Sequence, residues 1–188
     1  SSCHEGLRGV SLGNALIRRA VDSLSREFPR LKTFATLSPV PGFRAWLTGA
    51  ARDGHRRSAE IVARLDESNW VGEGVRSVEL EKQLLPLCAS YLLFAKRGQE
   101  PADPVARFHL GNGACLERLN WMGDPSAAGI GRSAGLTANY LYTLADVERN
   151  HQAYVTEGKV IASRGIERLA AARGRFEPSD ATVSRHAS

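Results

Sequence analysis

A layered domain mixing helices with a small sheet, α/β or α+β, is the fold class this 188-residue sequence predicts. Three observations carry it. Amphipathic helical repeats recur between residues 14 and 172. Short runs rich in Thr, Tyr, Phe or alternating apolar residues interrupt them at 31–37, 114–122 and 136–144. A glycine- or proline-rich turn flanks each of those runs. The length suits one domain with a real hydrophobic core.

Taken in order, NALIRRAVDSLSREF (14–28) places Leu16, Ile17, Ala20, Val21, Leu24 and Phe28 on one helical face. LKTFATL (31–37) reads as a strand, and after Pro41-Gly42 the run FRAWLTGAA reads as a short helix. RSAEIVARLD (57–66) is another helix. SVELEKQLLPLCASYLLFAK (77–96) is helical but carries Pro86, which predicts a kink or a split. The stretch 98–113 is turn-rich, with a helix start at Asp103 (N-cap) and Pro104 (first helical position). ACLERLNWM (114–122) reads as a strand, GDPSAAGIGRSAG (123–135) as a glycine-rich loop and LTANYLYTL (136–144) as a strand. A last helix covers 159–172, and the polar tail 173–188 is expected to be disordered. Three strands are few for so many helices, and the first element is a helix, which predicts that upstream strands are missing from this chain.

Composition narrows the function. With 43% apolar and 24% charged residues the chain is an ordinary globular sequence, and 25 Lys+Arg minus 20 Asp+Glu leave a net charge of +5. That balance suits a polyanionic partner such as a phosphate-bearing cofactor, a membrane surface or nucleic acid, or simply a basic surface. No block of about five or six like charges appears. RNP aromatics, zinc-finger spacing and basic heptads are absent, so a nucleic-acid role rests on charge alone. Cys3, Cys88 and Cys115 lie far apart without a CxxC, which argues against a disulfide scaffold or a zinc site and for a reducing compartment. No run approaches the ~20 apolar residues of a membrane span. HExxH and GxSxG motifs are also absent.

Four constellations remain. GLRGVSLGNALIRR leads a glycine-rich turn straight into a helix, whose free N–H groups and positive dipole end suit a phosphate. Its R-x-x-S-x-G pattern, Arg8 to Gly13, approaches the loop by which acetyltransferase-type folds hold the coenzyme A pyrophosphate, with Ser11 in place of a glycine. A plain helix cap explains it equally well. Ser38, in LSPVPGF, stands at a predicted strand end directly before Pro39-Val40-Pro41, whose two prolines restrict the backbone there. It is a turn residue, a ligand contact or a catalytic hydroxyl. His109, in FHLGNG, is either a satisfied half-buried histidine or a proton-transfer group. Asn139, Tyr140 and Tyr142 offer amide and phenol groups near glycines, or pack as ordinary strand residues.

Taken together, GLRGVSLGNALIRR, EFPRLKTFATLSPVPGF, DPVARFHLGNGACLERLNWMGDPSAAGIGRSAGLTANYLY and NHQAYVTEGKVIASRGIERL resemble the malonyl-CoA decarboxylase family, in that family's order, over most of residues 5–172. The resemblance implies a catalytic domain of the GCN5-related acetyltransferase (GNAT-like) fold over 1–172, lacking its N-terminal strands and the helical oligomerisation domain that precedes it. It implies decarboxylation of malonyl-CoA to acetyl-CoA and CO2 in fatty-acid metabolism, with no metal or organic cofactor because coenzyme A is part of the substrate. It puts catalytic roles on Ser38 and His109. Substrate contacts fall on Arg8, Gly9, Val10, Ser11, Leu12, Gly13 and Asn14, and on Asn139 and Tyr142. Full-length members are expected to be homo-oligomers, with no nucleic-acid or membrane partner. SRHAS is not a peroxisomal signal and no transit peptide is visible, so a cytoplasmic enzyme is expected. Two rivals stay open: an acyl-CoA-binding or acyltransferase-like fragment without decarboxylase activity, and a non-catalytic domain whose half-sheet pairs with a partner.

Overall fold

The computed structural model describes residues 12–67, 70–71 and 74–172, and these form a mixed α/β layer structure. Helix α1 (Leu12–Glu27) comes first and is followed by β1 (Ser38–Pro39), α2 (Phe43–Arg52), α3 (Arg56–Asp66) and α4 (Gly74–Phe94). A small hairpin, β2 (Lys96–Arg97) with β3 (Glu100–Pro101), leads into α5 (Pro104–Gly111). Then come β4 (Cys115–Asn120), α6 (Ala127–Ser133), β5 (Thr137–Leu141), α7 (Leu144–Glu157) and α8 (Arg164–Ala172).

The main sheet is antiparallel with order β1-β5-β4, so the central strand is the last of the three in sequence. Its register sets Ser38 opposite Ala138 and Leu116 opposite Tyr140. The free edge of β4 is covered by the chain around Ala162: Leu116 N–H donates to Ile161 at 2.9 Å and Ser163 N–H donates to Leu116 at 2.9 Å. Strand β1 forms the other edge.

The core lies between the sheet and the helices. Leu80, Leu84, Leu87, Cys88 and Leu92 bury one side of α4, which packs against α8 with Ile166 and Ala170. Phe43 and Leu47 of α2 meet Ile61 and Leu65 of α3. Burying each such side chain contributes about 1.5–3 kcal/mol.

Four expectations need correction. Pro86 neither splits nor ends α4, which runs unbroken for 21 residues. The lost hydrogen bond is local, whereas the leucines on either side of the proline share one buried face. Pairing in the 31–37 run comes late: Leu31 is exposed, Ala35 makes an isolated bridge to Leu141, and regular strand appears only at Ser38–Pro39. The glycine-rich 123–135 segment contains a helix, α6, capped by the Ser126 hydroxyl accepting from Gly129 N–H at 3.1 Å. The sequence reading also assigned no element to 145–157, where α7 lies. The predicted tail, 173–188, falls outside the described residues.

Candidate active site

Strand β5 and helix α5 build the centre of the site. Side chains two apart on a strand share a face, so Tyr140 and Tyr142 both point toward α5. The His109 ring lies on the Tyr140 ring, with centroids 4.5 Å apart and planes 21° apart. The Tyr142 hydroxyl stands 2.8 Å from His109 Nδ1. Phe108 meets the imidazole edge-on at 5.1 Å. Aromatic walls thus surround the ring, and burial pushes its pKa down to about 4, leaving it neutral at neutral pH.

Ser38 arrives from the sheet edge. It is 6% exposed, and its Oγ stands 3.0 Å from His109 Nε2 although 71 residues separate the two. Its hydroxyl also donates to Thr36 Oγ1 at 2.9 Å. Thr36 is itself held to β5: its N–H donates to Tyr140 at 3.0 Å, and its Oγ1 accepts from Tyr140 N–H at 3.3 Å. A neutral imidazole offers one donor and one acceptor. With Ser38 donating to Thr36, the consistent polarity has Nε2–H donating to Ser38 Oγ and Nδ1 accepting from Tyr142 O–H. The result is one directed chain of hydrogen bonds, Tyr142 to His109 to Ser38 to Thr36. Burial raises the Tyr142 phenol well above its usual pKa, which keeps that end of the chain protonated.

The two ends of α5 fix the imidazole. At its start the Asp103 carboxylate accepts from Val105 N–H at 2.9 Å and Ala106 N–H at 3.0 Å, and Pro104 occupies the first helical position as the sequence predicts. At its end Gly113 adopts φ +79°, where a Cβ would lie 2.2 Å from the Val147 carbonyl oxygen. Asn150 donates to the Gly113 carbonyl at 3.2 Å, and His151 donates through Nδ1 to the Gly111 carbonyl at 2.7 Å.

The structure therefore brings together Ser38, His109 and Tyr142. Asn139 sits on the same strand one residue from Tyr140, and strand alternation turns it to the opposite face of the sheet. Its amide is engaged there, donating to the Thr36 carbonyl at 2.6 Å and accepting from Asn120 at 2.9 Å. Arg8, Gly9, Val10 and Ser11 lie outside the described residues, while Leu12, Gly13 and Asn14 open helix α1. Sequence reasoning missed Thr36 and the stacking role of Tyr140. The two-residue spacings Thr36/Ser38 and Tyr140/Tyr142 were the available signal, since residues two apart on strands share a face. Among the described residues no group of three or more His, Cys, Asp or Glu could hold a metal ion. No helix there is long and apolar enough to cross a membrane. Cys88 and Cys115 are free thiols, both raised in pKa first by burial.

Comparison with known proteins adds an independent line. A family model described as the malonyl-CoA decarboxylase C-terminal domain matches residues 1–180. The mitochondrial malonyl-CoA decarboxylase of the goose Anser anser anser is 36% identical over 189 residues, covering 88% of this chain and 38% of that protein. The mouse protein of the same name is 36% identical over 91% of this chain and 39% of its own length. The crystal structure of malonyl-CoA decarboxylase from Rhodopseudomonas palustris superposes with a TM-score of 0.83 at 42% identity, covering 90% of this chain and 40% of that one. The Agrobacterium vitis structure gives 0.82 at 44% identity, covering 90% and 43%. The chain thus spans about two fifths of the length of these relatives.

Proposed function

We propose, from the premise that this chain belongs to the malonyl-CoA decarboxylase family and matches its C-terminal domain, that it carries the reacting-group end of a malonyl-CoA decarboxylase. The single observation carrying this reading is the Ser38 Oγ–His109 Nε2 pair at 3.0 Å, with Tyr142 on the other ring nitrogen. Decarboxylation breaks the bond between the α-carbon and the carboxylate. The electron pair passes into the thioester carbonyl as an enolate, and a proton must then reach the α-carbon. The carbonyl is its own electron sink, so the chemistry requires neither metal nor organic cofactor.

His109 is assigned the proton delivery. Burial holds the ring neutral. A malonyl carboxylate set beside it favours the imidazolium, so the ring is charged with the proton it later gives to carbon. The Ser38 hydroxyl is assigned to hold that carboxylate or to relay the proton. Pro39 and Pro41, which directly follow Ser38, restrict the backbone that carries it, and a reacting group misplaced by about 1 Å costs on the order of a hundredfold in rate. Arg8 to Asn14, leading into the N-terminus of α1, are assigned to the pyrophosphate of coenzyme A. Asn139 is assigned no direct role beyond fixing the Thr36 carbonyl, to which it is bonded.

The GNAT-like architecture, homo-oligomerisation and a cytoplasmic location belong to the same proposal. The net charge of +5 suits the phosphates of the substrate, and a loop-to-helix phosphate grip suits the acetyltransferase-type fold. The goose and mouse relatives are named mitochondrial, so cell fractionation is the measurement that decides the compartment.

The test is chromatographic. Incubation with malonyl-CoA is expected to yield acetyl-CoA. His109→Ala is expected to lower kcat by about 10²–10⁴-fold, and Ser38→Ala by a similar order. A folded wild-type chain that binds coenzyme A without releasing acetyl-CoA would mark an acyl-CoA-binding fragment instead.

A further inference from the structure

We propose that Asp103 is a positioning residue that sets the distance between Ser38 and His109, acting as a single tie between the two elements that carry them. The inference rests on the decarboxylase reading for its kinetic consequences. Asp103 is 1% exposed. One carboxylate oxygen caps α5 by accepting from Val105 and Ala106 N–H. The other accepts from Gly42 N–H at 3.1 Å and faces the Tyr91 hydroxyl at 3.5 Å. Gly42 is the N-cap of α2 and ends the SPVPG turn that begins at Ser38. One buried anion therefore sits between the N-termini of two helices, where both dipoles favour it.

A cap alone does not call for such a residue. Helix α6 is capped by the exposed Ser126 with one hydroxyl oxygen, at none of the desolvation cost of a buried carboxylate. What the second oxygen adds is a bond across 61 residues to the loop of the partner side chain. From Gly42 back to Ser38 the path runs through Pro41, Val40 and Pro39, and both prolines lock φ. From Asp103 forward to His109 it runs along a regular helix. Both paths are stiff, so anchoring Gly42 to Asp103 fixes the Oγ–Nε2 separation at the other end of the closed ring. The site leaves no room for drift: a Cβ on Gly42 would lie 2.2 Å from the Tyr91 hydroxyl oxygen and 3.4 Å from the Asp103 carboxylate.

The test uses Asp103→Asn and Asp103→Ser in the 188-residue chain. Both new residues are good N-caps, so α5 keeps its start. Asn turns an N–H donor toward Gly42 N–H when its oxygen caps, and Ser has no second oxygen. The expected result is a fall in kcat of about 10- to 100-fold for both, with KM within about threefold of wild type. In a Ser38→Ala background the Asp103→Asn change is expected to add less than about threefold, because the geometry it protects is already gone. Wild-type kcat in both variants, or an undiminished loss in the Ser38→Ala background, overturns the proposal. A second readout does not depend on turnover. By NMR, the His109 imidazole is expected to titrate at least about one unit higher in Asp103→Asn, moving toward the unburied value of about 6.5 as the pocket loosens. An unmoved titration overturns the proposal even if the wild type makes no acetyl-CoA, an outcome that would by itself sink only the decarboxylase reading.

Discussion

Ser38 and His109 meet at hydrogen-bonding distance from supports of opposite kinds. His109 rides a regular helix held at both ends, by Asp103 at the start and by Asn150, His151 and the Gly113 turn at the finish. Ser38 rides a two-residue edge strand, with little ladder bonding of its own. Its order comes from two prolines, from Thr36, and from the tie at Gly42. A helix distributes its restraint over many bonds. The serine loop concentrates its restraint in a few, and those few lead to distant parts of the sequence. Damage to the histidine support should thus register first as lost stability, and damage to the serine support first as lost turnover.

Gly113→Ala attacks the histidine support hardest. Its Cβ would meet the Val147 backbone at φ +79°, and backbone cannot step aside as a side chain can. Left-handed strain and overpacking together are expected to destabilise by about 3 kcal/mol, seen as a lower denaturation midpoint. A change under about 0.5 kcal/mol would mean that α7 yields freely there. Gly42→Ala is the matched attack on the serine support. The atom met is the tip of the Tyr91 side chain, so a smaller loss of about 2 kcal/mol is expected. The comparison predicts that this milder variant nevertheless loses more kcat than Gly113→Ala does per unit of stability. Equal ratios would erase the distinction.

The last expected effect is confined to acid pH. The folded pKa of His109, about 4, lies below its unfolded value of about 6.5. Above pH 6.5 the ring is neutral in both states, and its contribution is constant. As pH falls from about 6.5 to 4 the unfolded chain takes up a proton that the buried ring refuses, so stability declines across that window. His109→Gln, which cannot titrate, is expected to flatten that part of the profile. Melting temperatures across the window supply the check, and identical profiles would contradict a buried neutral imidazole.

Much of this was legible along the chain. Helices α2, α3 and α8 follow from apolar spacing, and the Asp103-Pro104 start of α5 follows from capping chemistry. Strands β4 and β5 follow from alternation bounded by glycines. The helix through 127–133 was hidden because glycine weighs against helix in any local count, although Asp124-Pro125-Ser126 announced its cap. Segment 31–37 was misplaced because an edge strand borrows its pairing from β5, which lies a hundred residues away in the chain.

The sequence by itself determined that Ser38 would be stiff, that His109 would sit on a capped helix, and that Tyr140 and Tyr142 would share a face. Each of these follows from torsional limits or periodicity acting over a few bonds. Only the tertiary structure decided that the three would meet, that Thr36 would continue their hydrogen-bond chain, and that the second oxygen of Asp103 would reach Gly42. Those contacts join segments tens of residues apart. They form because burying the faces of α4, α5 and the sheet in one core brings their polar edges within about 3 Å, a distance no local rule encodes.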